Sequence, residues 1–360
     1  MSQSSKLGSA AASESNFRGL VARQLTKPVR LPPSPTQLAN QVAVVTGSNV
    51  GLGLVASRQL LDLGLSHLVM AVRSQPKGDA AAAQLRSEFP AAAISVWIVD
   101  MESYVSVQAF AAKCDAELPR IDFVILNAGL MCWAYTTNPT TKWETTLQVN
   151  YLSTALLTVL LVPILKARHQ SDKTHSTKPP VISVVGSDVQ YMQDVNKFAD
   201  PTSDKPILQR FNDSNKFSGM DWYGLTKVAL TFFVARLAEV VNAEDVTINM
   251  SNPGMTSGTA FFSKSNFFVR QLVGAAGLLL SRTVEVGAST YVDATVVKGS
   301  ESHGSFVSDW TIKPYPKHWY TPEGKKDFGE KLWQETIDEL AAISPEAAKI
   351  VDELRKGGRT

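Results

Sequence analysis

The sequence predicts an α/β protein built on a doubly wound parallel sheet, and three observations carry that expectation. Short β-branched runs alternate with longer helical ones from Gln41 to about His318, the order that lays helices on both faces of one sheet. Candidate strands such as Phe123-Val124-Ile125-Leu126 are apolar at consecutive positions, which a strand needs only when both of its faces are buried. A glycine-rich turn, Thr46-Gly47-Ser48-Asn49-Val50-Gly51-Leu52-Gly53, joins the first strand to the first helix of that alternation, at the sheet edge where folds of this class take their ligands.

The elements follow in order. Residues 1–40 read as an extension: Met1 to Phe17 is rich in Ser and Ala and has no apolar run behind a basic start, so it is not a secretory signal. Arg18, Arg23, Lys27 and Arg30 stand without an acidic residue between them, which leaves an organelle transit peptide open. Against it, Pro32-Pro33-Ser34-Pro35 reads as a linker and the whole as a tail strapped onto the domain surface. Strands are then expected at Val42–Val45, His67–Val72, Ile94–Val99, Ile121–Leu126, Val181–Val185, Val246–Met250 and Ser305–Val307. Helices are expected at Leu52–Leu63, Lys77–Glu88, Tyr104–Glu117, Trp143–Lys166 and Tyr223–Val241.

One catalytic domain, 41–320, accounts for this pattern, with a helical segment at 321–360. Insertions fall at about 188–221, a polar stretch without strand or strong helix signal, and at 255–282. The second groups Phe261, Phe262, Phe267 and Phe268 among small residues, a surface that suits a wall over an apolar substrate or a peripheral membrane contact. The longest apolar run, Ala155–Leu165, contains Pro163 and is shorter than the about 18 residues of a membrane span, so it reads as a buried helix. It is also more apolar than one sheet face requires, which suggests a homodimer or homotetramer contact.

Composition narrows the function. Lys and Arg number 35 against 33 Asp and Glu, a net charge of +2, far from the basic excess of a dedicated nucleic-acid binder. With 44% hydrophobic and 19% charged residues, the chain holds enough apolar material for a large core. Two cysteines, Cys114 and Cys132, and five scattered histidines make neither a disulfide framework nor a metal cluster, so a reduced, cytoplasmic setting is expected.

The chemistry begins at the glycine turn. Between a strand and a helix, Gly47, Ser48, Asn49, Gly51, Leu52 and Gly53 are the candidate cradle of a pyrophosphate, whose charge the helix N-terminal amides would meet. At the end of the second strand an NAD-binding chain carries an acid for the ribose hydroxyls. Here the sequence runs Ala71-Val72-Arg73-Ser74-Gln75-Pro76-Lys77. A guanidinium in place of the carboxylate suits a 2′-phosphate, with Lys77 as a second cation, so NADP(H) is the expected cofactor. The alternative is an ordinary solvated arginine.

Asp100 ends the third strand, as acceptor for the adenine amino group or as the cap of the next helix. Asn127-Ala128-Gly129 ends the fourth, bracing loops or the cofactor ribose. Tyr223 and Lys227 are spaced i, i+4, one helical turn apart on one face. A nearby ammonium, with an oxidised nicotinamide, would draw the phenol toward a working pKa. Ser187 ends the fifth strand, able to hydrogen-bond a substrate carbonyl or alcohol oxygen. Asn150, in the long helix, is read as holding a proton-relaying water for Lys227 or as locally satisfied.

In this order these motifs resemble the short-chain dehydrogenase/reductase superfamily over nearly all of Gln41 to Asp309. The length, the extended N-terminus and the ending Glu301-Ser302-His303-Gly304 to Asp309-Trp310 look like its retinol-dehydrogenase-like branch, especially the longer reductases of fungal secondary-metabolite pathways. The resemblance implies a Rossmann fold. It implies Tyr223 as proton donor or acceptor, Lys227 lowering its pKa and holding the nicotinamide ribose, Ser187 orienting the substrate oxygen and Asn150 supporting the relay. It also implies Pro253, Gly254 and Thr256 beside the nicotinamide. Leu126 stands where many members have Asn, Gly186 where Ser is common, and the Ser187 to Tyr223 span is longer than in compact members.

The expected function is therefore hydride exchange with the carbonyl or alcohol of a bulky, mostly apolar small molecule. An epimerase or dehydratase without net redox, or a nucleotide-binding partner protein without catalysis, are the alternatives.

Overall fold

The computed structural model describes residues 1–26, 38–171, 178–195, 205–257 and 281–357. Its centre is an eight-stranded sheet of order β3-β2-β1-β4-β5-β6-β7-β8. The strands are β1 Val42–Thr46, β2 His67–Val72, β3 Ala93–Ile98, β4 Phe123–Leu126, β5 Val181–Val185, β6 Thr247–Asn252, β7 Phe306–Ser308 and β8 Thr311–Lys313. All neighbours run parallel except β7 and β8.

Alternate residues of one strand serve opposite layers, which is why the strands are apolar throughout. In β1, Val42 and Val44 join the core cluster that contains α5 Tyr104–Glu117, α6 Ser153–Ser171 and α7 Gly219–Val240 side chains. Ala43 and Val45 face the other layer, against α3 Gly51–Asp62, α4 Gln75–Glu88 and α8 Val284–Val292. Chain order reverses between β1 and β4, so a crevice opens at the carboxyl ends of these strands.

Several expectations change. The antiparallel β8 escaped the pattern because it is only three residues long and follows two left-handed residues, Asp309 (φ 53°) and Trp310 (φ 56°). The stretch after Ser187 carries a 3-10 turn at Asp188–Met192 and a short helix at Ile207–Arg210. The long helix begins as a short turn, Thr145–Leu147, and a π-helical segment, Gln148–Leu152, before α6. Pro163 stays inside α6.

At the N-terminus, α1 Gly8–Glu14 and α2 Phe17–Thr26 lie against the β7–β8 side of the sheet, Glu14 meeting Lys313 at 2.9 Å and Arg23 meeting Asp309 at 3.5 Å. Ser4 is buried and donates through its hydroxyl to Lys313 O at 2.5 Å. The Pro32–Pro35 run and the aromatic positions Phe261, Phe262, Phe267 and Phe268 lie outside the described residues.

At the other end, α9 Lys331–Ile343 and α10 Pro345–Gly357 cover α6 and α7. Trp333 packs on Phe233 at 5.8 Å between ring centroids, and Tyr151 meets Thr336 at 2.7 Å. The helical region Thr145–Ser171 is long and apolar enough to cross a membrane, but 89% of its most apolar stretch is buried inside the protein. The apolar surplus that suggested a homodimer or homotetramer is thus met within one chain.

Candidate active site

The glycine loop is held open from below. Gly47 (φ 65°) and Gly51 (φ 60°) occupy left-handed backbone, which costs other residues about 1–2 kcal/mol. Asn127 Nδ2 donates to Thr46 O at 2.9 Å and Gly47 O at 3.3 Å, and Ala128 N donates to Thr46 Oγ1 at 2.9 Å. A Cβ at Gly53 would stand 2.6 Å from both Asn127 Nδ2 and Gly47 O, so that position needs glycine for close approach. Asn127 therefore braces the loop, and Gly129 lies under Asn150, with Oδ1 3.2 Å from where its Cβ would be.

The residues fit a dinucleotide. The Ser48 hydroxyl is buried without a partner, an acceptor or donor left for a ligand oxygen. A Cβ at Gly51 would meet nothing within 4 Å, so there is free space over the loop. Asn49 is half-buried, and Leu52 packs toward Gly287, within 2.9 Å of where a Cβ would stand.

Arg73 follows β2 as an exposed cation (67%), with Nη1 2.6 Å from Glu102 Oε1. Its exposed charge is thus shared with an acid that competes for the guanidinium. Lys77 is exposed in the first turn of α4. Asp100 does not cap α5: Ser103 does, accepting from Ser106 N at 3.2 Å. Asp100 instead accepts Glu102 N at 3.0 Å through its carboxylate.

Ser187, Tyr223 and Lys227 converge at the end of β5. The Ser187 hydroxyl accepts from Val189 N at 3.4 Å and lies near enough to the Tyr223 phenol to draw its pKa down. Lys227 Nζ donates to Val185 O at 2.7 Å and lies 5.5 Å from the Tyr223 ring centroid. Burial pushes the Tyr223 phenol up to about 12, with the nearby Ser187 hydroxyl pulling the other way. Burial likewise brings Lys227 down to about 8.

The expected lowering of the phenol by Lys227 concerns the state with an oxidised nicotinamide bound; in the chain alone burial dominates both groups, and Lys227 faces a backbone oxygen. Its ammonium is aimed at a carbonyl and is itself desolvated. Two neighbouring groups displaced in opposite directions are what functional sites commonly contain.

Asn150 sits in the π-helical segment. Its Oδ1 accepts Leu130 N at 2.8 Å, while Nδ2 donates to Leu130 O at 2.8 Å and Thr226 Oγ1 at 3.3 Å. Its side chain locks the Asn127–Leu130 turn to α7 beside Lys227. Pro253 and Gly254 (φ 71°) follow β6, and Thr256 Oγ1 donates to Gly254 O at 3.2 Å.

Sequence reasoning missed Tyr291 on α8, which burial and then the nearby Tyr223 hold well above the usual phenol range. It also missed a buried charge cluster of Arg23, Asp188, Arg282 and Asp309 behind Ser187. Only the polarity of Asp188 and Asp309 in apolar surroundings hinted at the latter.

Residues 41–172 match the family model of the short chain dehydrogenases. The short chain dehydrogenase virL of Hypocrea virens is 54% identical over 353 residues, covering 98% of this chain and 99% of the relative. The short chain dehydrogenase opdN of Penicillium oxalicum is 43% identical, over 86% of this chain and all of its own length (100%). Among solved structures, L-sorbose reductase from Gluconobacter frateurii, complexed with NADPH and L-sorbose, superposes with a TM-score of 0.56 at 20% identity. It covers 76% of this chain and 96% of its own. An NADPH-bound short chain oxidoreductase of Pseudomonas aeruginosa gives 0.55 at 20% identity, covering 76% and 96%.

Proposed function

Because the chain belongs to the short-chain dehydrogenase family and is an oxidoreductase, we propose that it is an NADP(H)-dependent reductase of a bulky, mostly apolar carbonyl compound in secondary metabolism. The observation that carries this is the convergence of Ser187, Tyr223 and Lys227 at the end of β5, with Lys227 one turn along α7 from Tyr223, at the same sheet edge as the glycine loop. When bound, NADP(H) supplies or accepts the hydride.

The chain's own residues do the rest. Gly47, Ser48, Asn49, Gly51, Leu52 and Gly53 would hold the pyrophosphate, Arg73 and Lys77 the 2′-phosphate, and Asp100 the adenine amino group. Asn127, Ala128, Gly129, Pro253, Gly254 and Thr256 would border the ribose and nicotinamide. Ser187 Oγ would orient the carbonyl oxygen. Tyr223 Oη, kept protonated at neutral pH by a pKa of about 12, would give its proton to that oxygen as it gains charge. Lys227 would hold positive charge near the emptied phenolate, and Asn150 keeps the turn opposite in register.

NADPH in two structures of the same fold supports the nucleotide choice, as does a cation rather than an acid at position 73. The apolar substrate rests on the aromatic composition of 255–282. A cytoplasmic location is part of the proposal, supported by Cys114 and Cys132 both being free.

The test is NADPH consumption with a bulky aryl ketone by the wild-type chain and by Tyr223→Phe. Substrate conversion without net consumption would replace the reductase with an epimerase or dehydratase.

A further inference from the structure

Behind Ser187 the chain buries a cluster of charge that the reaction does not explain. Arg23 of α2 has a side chain only 5% exposed, and its guanidinium faces three carboxylates. It pairs with Glu14, with Asp188 at 3.4 Å and with Asp309 at 3.5 Å, and lies 5.4 Å over the Tyr191 ring. Arg282 makes a second ion pair with Asp309, and Lys313 meets Glu14 at 2.9 Å. Three cations and three anions balance, and removing one would leave an uncompensated buried charge.

One of these contacts, Arg23 with Asp188, leads directly to the reacting edge, and so does a contact of the neighbouring Gln24. Asp188 is the residue after Ser187. Its carboxylate accepts Asn252 Nδ2 at 2.7 Å, and its backbone N donates to Asn252 Oδ1 at 3.2 Å. Asn252 ends β6 just before the Pro253-Gly254 turn. On that turn, Gln24 Nε2 donates to Met255 O at 3.0 Å, and a Cβ at Gly254 would stand 2.8 Å from Gln24 Oε1. The N-terminal helix thus touches both segments that border the nicotinamide end of the crevice.

We propose that the N-terminal segment is a working part of the active site, in which Arg23 is a positioning residue that fixes Ser187 through Asp188 while Gln24 fixes the Pro253-Gly254 turn. This rests on the reading of Ser187 as the group that orients the substrate oxygen. A buried guanidinium is suited to the task, because its planar fork can face several acids in fixed directions where an ammonium cannot. Small displacements at such a site are costly, since an error of about 1 Å in a reacting group can lower turnover about a hundredfold.

The test uses the full chain with Arg23→Ala, Arg23→Lys and Ser187→Ala, α-tetralone as the ketone and NADPH as reductant. Hydrogen–deuterium exchange is read at the amides of Asp188 and Val189. Arg23→Ala should lower kcat by about 10–100-fold with little change in NADPH affinity, speed exchange at those two amides, and regain turnover with added guanidinium ion. Arg23→Lys, which keeps the charge and guards against a failure of Arg23→Ala to fold, should show the same changes in weaker form.

Folded Arg23→Lys with wild-type kcat and wild-type exchange would overturn the proposal. So would a loss in Arg23→Ala that guanidinium does not restore and that follows the melting temperature alone. An active Ser187→Ala would instead sink the reductase reading itself. An inactive Ser187→Ala beside fully active Arg23 variants would sink only the present inference. If tetralone is not turned over by the wild type, the exchange rates of the Arg23 variants decide.

Discussion

At the scale of single residues, the site stores its chemistry as unfavourable burial. Lys227 titrates near 8 rather than 10.5 because the folded chain desolvates its ammonium. Below about pH 8 both folded and unfolded chains carry the proton and the cost is fully present. Between about 8 and 10.5 the folded state sheds its proton first and the cost fades. Lys227→Met should therefore stabilise the ligand-free protein at pH 7 by about 1–3 kcal/mol, allowing for the lost hydrogen bond to Val185 O. The gain should disappear in melts taken towards pH 10.5, and turnover should be lost. Tyr223→Phe keeps the ring and removes only the transferable proton, so folding should survive while turnover falls by about 10²–10⁴; near-normal activity would require another acid.

Cofactor choice belongs to the same scale. Arg73→Ser should weaken NADPH binding by about 1.5–3 kcal/mol and leave NADH nearly unchanged, as measured by titration. Glu102→Gln should do the reverse for NADPH, because the exposed pair at 2.6 Å adds little stability yet competes for the guanidinium. Ser187, Tyr223, Lys227 and Arg73 were legible because each ends a strand or keeps a helical spacing. Arg23 was not, since its partners Asp188 and Asp309 are distant in sequence and no local pattern marks a buried ion pair.

Elements show why a motif's glycines are not equivalent. Gly51 needs its left-handed φ of 60° but has open space around it, whereas Gly53 is pressed between Asn127 Nδ2 and Gly47 O at 2.6 Å. Gly53→Ala should force the loop off Asn127, at a cost of about 1–3 kcal/mol, and abolish NADPH binding. Gly51→Ala should cost about 1–2 kcal/mol and weaken binding only modestly. Equal effects in calorimetric titrations would contradict the bracing role of Asn127. The parallel strands were readable because burial on both faces leaves an unbroken apolar run, as in Val42–Thr46. β8 was not, since three residues after a left-handed Asp309-Trp310 turn carry no period. Nor does composition reveal the π-helical step at Gln148–Leu152, in which Asn150 is tied to Leu130 and Thr226.

For the whole molecule the question is what the apolar face of α6 is for. Residues Ser153 to Val162 and Leu165 are all buried within the single chain. Much of the cover comes from α9 and α10, whose Ile337, Leu340, Val351 and Leu354 join the same core. Polar clamps hold the cover down: Glu339 accepts from Trp143 Nε1 at 2.7 Å and Tyr104 Oη at 3.2 Å. Glu335 accepts Ile207 N and Leu208 N, each at 2.9 Å, tying the insertion after Ser187 to the same helix. A second copy would have to displace this packing to reach α6, so association through that face is unfavourable. Any self-association of the full chain seen in light scattering across the micromolar range should therefore survive substitutions on α6. A chain ending at Glu330 would expose Phe233, Leu156 and their neighbours, an apolar patch of the kind that drives association, and should dimerise or aggregate. A dimer of the full chain that survives Trp333→Ala and dissociates only on substitutions in α6 would show that α9 and α10 do not shield the face.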